Sequence, residues 1–537
     1  MSLSFAFLSS LAGRISAKWL GIQNRFHLLR LTRQVAKLAV SGDKQPVVFF
    51  NASARIHGLN LNAAFSLLAS WGLRLAGVPV VHFVCQAGMS RCVLGTDRDN
   101  HIVEPPCKAC IAQSNRLYAR SDTHAFTYSQ DEALTAALQG LDMVSLGQFE
   151  YQGQPLGQMV LPSLRWILRR HHLPDDNATR YLMRQYILSA FNIARQFEAL
   201  LDRVNPAAVV VFNGTMYPEA AARRAAQQRG IRVISHEVSF QPFSAFFTEG
   251  QATAYPIDIP DDFELSAEQN AQLDSYLESR FQGEFTMAGI TFWPEMRGLD
   301  DDFLRKIRHF DQVVPVFTNV IFDTSQVHAN TLFPHMFAWL DMLLELIENY
   351  PQTLFVIRAH PDEMRPGTKK QSRESVRQWV ERHQIAGLPN VVFIDSQEYV
   401  SSYALIQRAK FVMVYNSSIG LEASLMGAAV LCGGKARYTQ YPTVFFPQTA
   451  QAYRQQAEEF LTASSIDIPE SFRQQARRFL YYQLYRTALP FGDFLHAHPR
   501  LGYVGLKPFP LEKLSPQHST AVRVIVDGVV NHRPFLV

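Results

Sequence analysis

Nowhere in the 537-residue chain do 18 or more apolar residues run uninterrupted, which excludes a conventional membrane-spanning helix. Collagen-like and heptad repeats are also missing, and the fibrous classes go with them. Cysteine is scarce, at five residues, and a chain of this length buries a large core without disulfide staples. Residues 1–40 contain no acidic side chain, yet they hold Arg14, Lys18, Arg25, Arg30, Arg33 and Lys37. The whole chain has a formal charge of +4, so the remainder is slightly acidic. The basic surplus therefore belongs to one terminal segment, and nucleic acid is not an expected partner.

What is present is a globular composition, with 47% hydrophobic and 18% charged residues. At about 150 residues per domain the length suggests two to four domains. Segment 1–44 alternates apolar clusters with Arg and Lys. Such a helix either lies on an anionic membrane surface, apolar side down, or docks on its own domain. No charge precedes its apolar start and no small-residue cleavage site follows, which argues against a signal peptide. A cytoplasmic protein, or one peripheral on the inner face of the membrane, is expected.

Strands and helices then alternate. Residues 46–51, 80–84, 207–212 and 231–235 read as buried strands, with helical patterns at 63–76 and 218–229. Residues 256–309 are acidic and break the rhythm, as a linker does. From residue 313 the alternation restarts, with strands at 313–318, 353–358, 390–395, 411–415 and 429–431. The expected architecture is α/β: two Rossmann-like, doubly wound domains, 45–255 and 310–465, facing each other across a cleft. A cysteine-rich insertion belongs to the first, and a helix and tail follow over 466–537. Apolar runs bounded by turn residues suit parallel strands buried on both faces. In such sheets ligands meet the carboxyl ends of the strands, so residues just past strand ends are the functional candidates.

After the strand TLFVIR come His360 and Pro361, an imidazole held in an extended turn and able to donate a ring N–H to phosphate. After FVMVY come Asn416, Ser417, Ser418, Gly420 and Glu422. Two hydroxyls and the backbone N–H groups of a helix start attract an anion, and a first-turn carboxylate suits ribose hydroxyls. Each residue also has a bland reading: the serines as N-caps, Glu422 as a dipole-matching charge.

The stretch Asn416–Leu431 (NSSIGLEASLMGAAVL) resembles the nucleotide-binding segment of GT-B glycosyltransferases, where a Gly-Leu-Glu-Ala helix precedes Gly-x-x-Val. His360-Pro361 together with Ser417-Ser418 is similar to the His-Pro and Ser-Ser motifs of bacterial sialyltransferases and capsule Kdo transferases. With Phe317-Thr318-Asn319 opening the second domain, the layout looks like the capsule polysaccharide biosynthesis group. The resemblance implies a nucleotide-sugar donor, CMP-linked by preference, with His360, Pro361, Asn416, the serines and Gly420 around its phosphate and Glu422 on its ribose. It implies a surface-polysaccharide or lipid-linked acceptor and inverting, metal-independent transfer. The acidic motif of the sialyltransferases has no counterpart here, which leaves UDP- and CDP-linked donors open. The same fold also suits a nucleotide-sugar epimerase or a CDP-polyol phosphotransferase, and a non-catalytic capsule scaffold is the reading from another class.

An inverting transfer needs a base for the acceptor hydroxyl, expected on the first domain. His236 and Glu237, after the strand IRVIS, and His57, after the first strand, are favoured over Glu219, which also suits the first turn of its helix. Arg358, Lys435 and Arg437 are further phosphate candidates. Finally, Cys85, Cys92, Cys107 and Cys110 fall within 26 residues, spaced C-x6-C-x14-C-x2-C. Four thiolates suit a structural tetrahedral zinc, or an iron–sulfur cluster; unliganded thiols are the alternative.

Overall fold

The computed structural model describes residues 2–39, 42–56, 58–281, 286–287, 290–291, 296–365, 371–500 and 502–537. The first domain is built on a sheet of β1 (Val47–Asn51), β2 (Val80–Cys85), β3 (Asp122–Phe126), β4 (Ala208–Phe212), β5 (Arg232–Val238) and β6 (Ser244–Glu249). The second contains β7 (Gln312–Phe317), β8 (Thr353–Arg358), β9 (Val391–Ile394), β10 (Val412–Val414) and β11 (Val430–Cys432). Near the C-terminus β12 (Leu489–Pro490) returns to the first sheet.

Both sheets wind alike. The spatial orders are β12-β6-β5-β4-β1-β2-β3 and β9-β8-β7-β10-β11. Strands β1 to β5 run parallel to one another, as do β7 to β11, whereas β6 is antiparallel to β5 and β12 antiparallel to β6. The connections reverse direction between β1 and β4 and again between β7 and β10, and a crevice opens at each switch point. The expected pair of doubly wound α/β domains is what the chain forms.

The strand runs are continuous because both faces are covered. Val47 and Phe49 face one core, with the helix Leu61–Leu75, while Val48 and Phe50 face another, with the helices Leu156–Leu168 and Asn177–Val204. That follows from the two-residue period of a strand, and each such buried side chain contributes about 1.5–3 kcal/mol. In the second domain Val314 and Val316 pack toward Trp339 and Leu343, whereas Val313 and Phe317 pack toward Leu273, Leu277 and Phe479.

Leu273 and Leu277 belong to the helix Ala267–Phe281. That helix of the expected linker is thus built into the second domain's core. The tail returns to the first domain: β12 pairs with β6, and the helix Thr520–Asn531 packs on Leu61–Leu75. Among the described residues no helix is long and apolar enough to cross a membrane. The helix Ser2–Leu38 docks its second half on the first domain through Leu28, Leu31 and Val35, and Asn24 hydrogen-bonds Val504 and Leu506.

Candidate functional site

Two adjoining hollows occupy the cleft. One, of about 410 Å³, lies over the carboxyl ends of β1, β4 and β5. The other, of about 1350 Å³, lies over those of β7, β8 and β10. They meet at Thr253, Asp323, Ser325 and Arg437, which border both.

His360, Pro361, Asn416, Ser417, Ser418 and Glu422 all border the larger hollow, with Thr318 and Asn319. His360 caps the short turn Pro361–Met364: its Nδ1 accepts the Asp362 N–H at 3.1 Å. A ring accepting at Nδ1 carries its proton on Nε2. Burial, more than any neighbouring charge, lowers the pKa below its usual 6.5, so at neutral pH His360 is an uncharged donor. Asn416 is held by Asn319 at 2.7 Å and Gln326 at 3.2 Å, which joins the ends of β7 and β10.

The N-cap reading of the serines does not hold for Ser418. Its hydroxyl makes no capping bond and is exposed, while Ser417 is buried. The helix Ile419–Leu425 is short, and the N–H groups of Gly420, Leu421 and Glu422 already donate to the carbonyls of Ser417 and Ser418. The helix start therefore offers fewer free donors than the sequence suggests. Gly420 sits beneath the hollow rather than along it. A Cβ there would come within 2.2 Å of the Tyr438 hydroxyl, so glycine lets the helix seat against Tyr438. Glu422 is buried, and its carboxylate accepts from Arg280 and Tyr403, each at 2.5 Å. Any ribose contact at Glu422 has to share the carboxylate with those two donors, neither of which the motif announces.

Arg358 borders the larger hollow too, but it is not a solvated charge. It is 2% exposed and donates to the carbonyls of Asp395 and Val400, and burial lowers its pKa to about 10. Lys435 and Arg437 also border the hollow. The Arg437 guanidinium reaches across the cleft to lie 3.7 Å from the Tyr255 ring centre.

The smaller hollow brings Arg55, Glu219, His236 and Glu237 together. His57 lies outside the described residues. His236 is 2% exposed, stacks on Phe247, and has a buried Nδ1 with no hydrogen-bond partner. Burial, then the Arg55 charge, lowers its pKa to about 3. Glu237 accepts from Asn62 at 3.3 Å and from the Val238 N–H at 2.9 Å, and burial raises its pKa. Glu219 is 8% exposed in the first turn of the helix Tyr217–Gln227, and burial raises its carboxyl to about 7 against the pull of Arg55.

Arg55 is the residue that sequence reasoning passed over. It follows β1 in a loop where Arg55 and Ile56 have φ of 62° and 71°, conformations a β-branched side chain rarely adopts. Such strain is held where surrounding structure over-determines it; here Ser53 Oγ accepts the Arg55 N–H, and the guanidinium lies 4.0 Å from the Phe212 ring centre. A cation in the tight loop after a first strand was the available signal.

The cysteine segment is the crossover from β2 to β3, ending in the helix Cys107–Leu117. Cys85, Cys92, Cys107 and Cys110 line one small hollow of about 20 Å³ with no disulfide between them. Cys85 Sγ accepts the Gly88 N–H, and Cys92 Sγ the Gly95 N–H.

Residues 299–463 match the family model described as capsule polysaccharide biosynthesis protein. No curated protein sequence matches the chain. Among solved structures, the chain is similar to the KpsC β-Kdo 2,4-transferase of Thermosulfurimonas dismutans, at 11% identity and a TM-score of 0.33, over 57% of this chain and 87% of that one. The β-Kdo 2,7-transferase of the same protein gives 14% and 0.32, over 62% and 89%. A UDP-GlcNAc 2-epimerase from Neisseria meningitidis gives 14% and 0.25, over 81% and 97%.

Proposed function

We propose that this chain, whose residues 299–463 carry a capsule polysaccharide biosynthesis segment, is a glycosyltransferase that moves a sugar from a CMP-activated donor to a surface-polysaccharide or lipid-linked acceptor. One observation carries the reading: His360, Asn416, Ser418 and Glu422, from the ends of the two strands that flank β7, border a single hollow. That hollow adjoins a second one holding a carboxyl group of raised pKa.

The donor phosphate lies against His360 Nε2–H and the Ser418 hydroxyl, with Lys435 and Arg437 supplying positive charge to the leaving nucleotide. The acceptor enters the first domain's hollow, where Glu219 takes the proton of its hydroxyl. Arg55, beside Glu219 and Glu237, keeps the carboxylates from being isolated charges. Narrowing of the cleft removes water from the reacting atoms.

The test is a panel of CMP-, UDP- and CDP-linked sugars incubated with and without a lipid-linked glycan acceptor. Product only with acceptor, from the CMP-linked donor, is the expected result. Turnover of a nucleotide sugar without acceptor would replace transfer by epimerisation.

The acceptor's membrane anchor gives the N-terminal helix a role. Opposite its docked face, Trp19, Ile22, Phe26 and Leu29 are 59%, 46%, 70% and 45% exposed. Their spacing of three, four and three residues makes one stripe of the helix. Arg25, Arg30, Arg33 and Lys37 are exposed around it. This combination suits an anionic bilayer surface, a contact that the docking of the opposite face leaves possible. The full chain is expected to float with phosphatidylglycerol vesicles and not with phosphatidylcholine vesicles. Phe26→Glu combined with Leu29→Glu should release it, and equal flotation of that variant would refute the contact.

A further inference from the structure

A third cluster lies away from both hollows, where the domains touch along one flank. His171 and His172 follow the helix Leu156–Leu168 of the first domain, and His335 caps the helix Met336–Asn349 of the second. One ring nitrogen from each of the three lies within 4.8 Å of the others. We propose that these histidines bind one divalent zinc-class ion that ties the two domains together.

Three features argue for it. First, His172 Nε2 faces His335 Nε2 at 3.3 Å, and two imidazoles on a tetrahedral zinc with bonds of about 2.05 Å place their nitrogens about 3.3 Å apart. Second, the ring orientation is set from behind. His172 Nδ1 lies 2.5 Å from Glu374 Oε1, while Glu374 Oε2 accepts the backbone N–H groups of His171 at 2.9 Å and His172 at 3.0 Å. A carboxylate holding Nδ1–H leaves the Nε2 lone pair for a metal, the usual outer-shell arrangement. Third, the set is accessible from solvent: His171 is buried, His335 half-buried and His172 exposed. Three imidazoles leave a fourth position for water.

Without an ion the same atoms form a hydrogen-bonded chain. The Ala338 N–H donates to His335 Nδ1 at 3.1 Å, which puts the His335 proton on Nε2, directed at His172 Nε2. Ligation through Nε2 needs that lone pair, so the single ring proton of His335 moves to Nδ1 and the cap to the Ala338 N–H is given up; the ring stays neutral and releases no proton.

The ligands come from both domains, and so does the support: Glu374 belongs to the second domain and orients two residues of the first. An ion there resists separation of the domains on this flank.

The test uses full-length protein stripped with a chelator and titrated with Zn²⁺, with bound metal measured after desalting. The expected zinc at the four cysteines is a separate equivalent, removed by Cys107→Ser with Cys110→Ser, so the two sites are read apart. His172→Ala with His335→Ala should lose one equivalent and abolish the part of the zinc-induced rise in Tm that the cysteine variant keeps. Glu374→Gln, which retains all three rings, should weaken zinc at this site 10- to 100-fold. If the double histidine variant, folded by circular dichroism, holds as much zinc as the parent, the three rings are a hydrogen-bonded contact and the proposal fails. Unchanged affinity in Glu374→Gln would remove the orienting role.

Discussion

His360→Ala is expected to lower kcat/KM for sugar transfer by about 10²–10³, the usual cost of removing one donor aimed at developing negative charge, roughly 2.7–4 kcal/mol. The side chain is an uncharged donor, because burial lowers its pKa and Asp362 occupies Nδ1. A neutral N–H in a partly dry hollow helps a leaving phosphate without first being protonated. At the cap, the Asp362 N–H loses its side-chain acceptor, about 0.5–1.5 kcal/mol. The melting temperature should therefore fall little while transfer fails. His360→Gln, whose amide can still donate, should recover part of the rate. Since the neutral ring is the working form, the His360 contribution to activity is lost only on the acid side, below the ordinary histidine pKa of 6.5. Undiminished transfer by His360→Ala would remove this side chain from the reaction.

The second large effect is at Glu219. As the base it works ionised, and its carboxyl titrates near 7 in the folded protein against the usual 4.5. Transfer should rise with pH through about 7 and level off above it, and Glu219→Gln should cost 10²–10⁴ in kcat. Stability should respond in the opposite sense. A carboxyl whose folded pKa is raised stabilises the fold fully below pH 4.5, and that contribution is lost as pH rises through 7. The difference, from about 1.36 kcal/mol per pKa unit, is of order 3 kcal/mol, so Glu219→Gln should be the more stable protein at pH 8. A slow variant that is also stabilised at high pH marks a group kept for chemistry rather than packing. A variant with full activity and an unchanged pH profile would leave Glu219 as an ordinary first-turn residue. His236, lowered to about 3 by burial and the Arg55 charge, is too weakly basic at neutral pH to compete for this role, although the strand pattern favours it.

The alternation of apolar runs and helices was enough to place the central strands of both sheets within a residue or two, since those strands are buried on both faces, except that β5 runs three residues further and holds His236 and Glu237 inside the strand rather than past its end. It did not reveal β3, where Phe126 is the one buried residue of an edge strand, or β6, which runs antiparallel. The strand-end rule brought His360, Pro361, Asn416, Ser417, Ser418 and Glu422 to one hollow, because a parallel sheet puts the carboxyl ends of its strands on one edge, here with β8 and β10 on either side of β7. The length and charge of the chain, its two-lobed α/β order and the polar residues past the strands were thus determined by the sequence itself, through periodicity and turn chemistry. Tertiary structure alone decided which charges are spent and which are available. Arg358 is turned into backbone carbonyls, Glu422 is held by Arg280 from 142 positions away, and Glu219 is raised by burial. Desolvation and long-range pairing depend on what packs overhead, and no local pattern of residues encodes that.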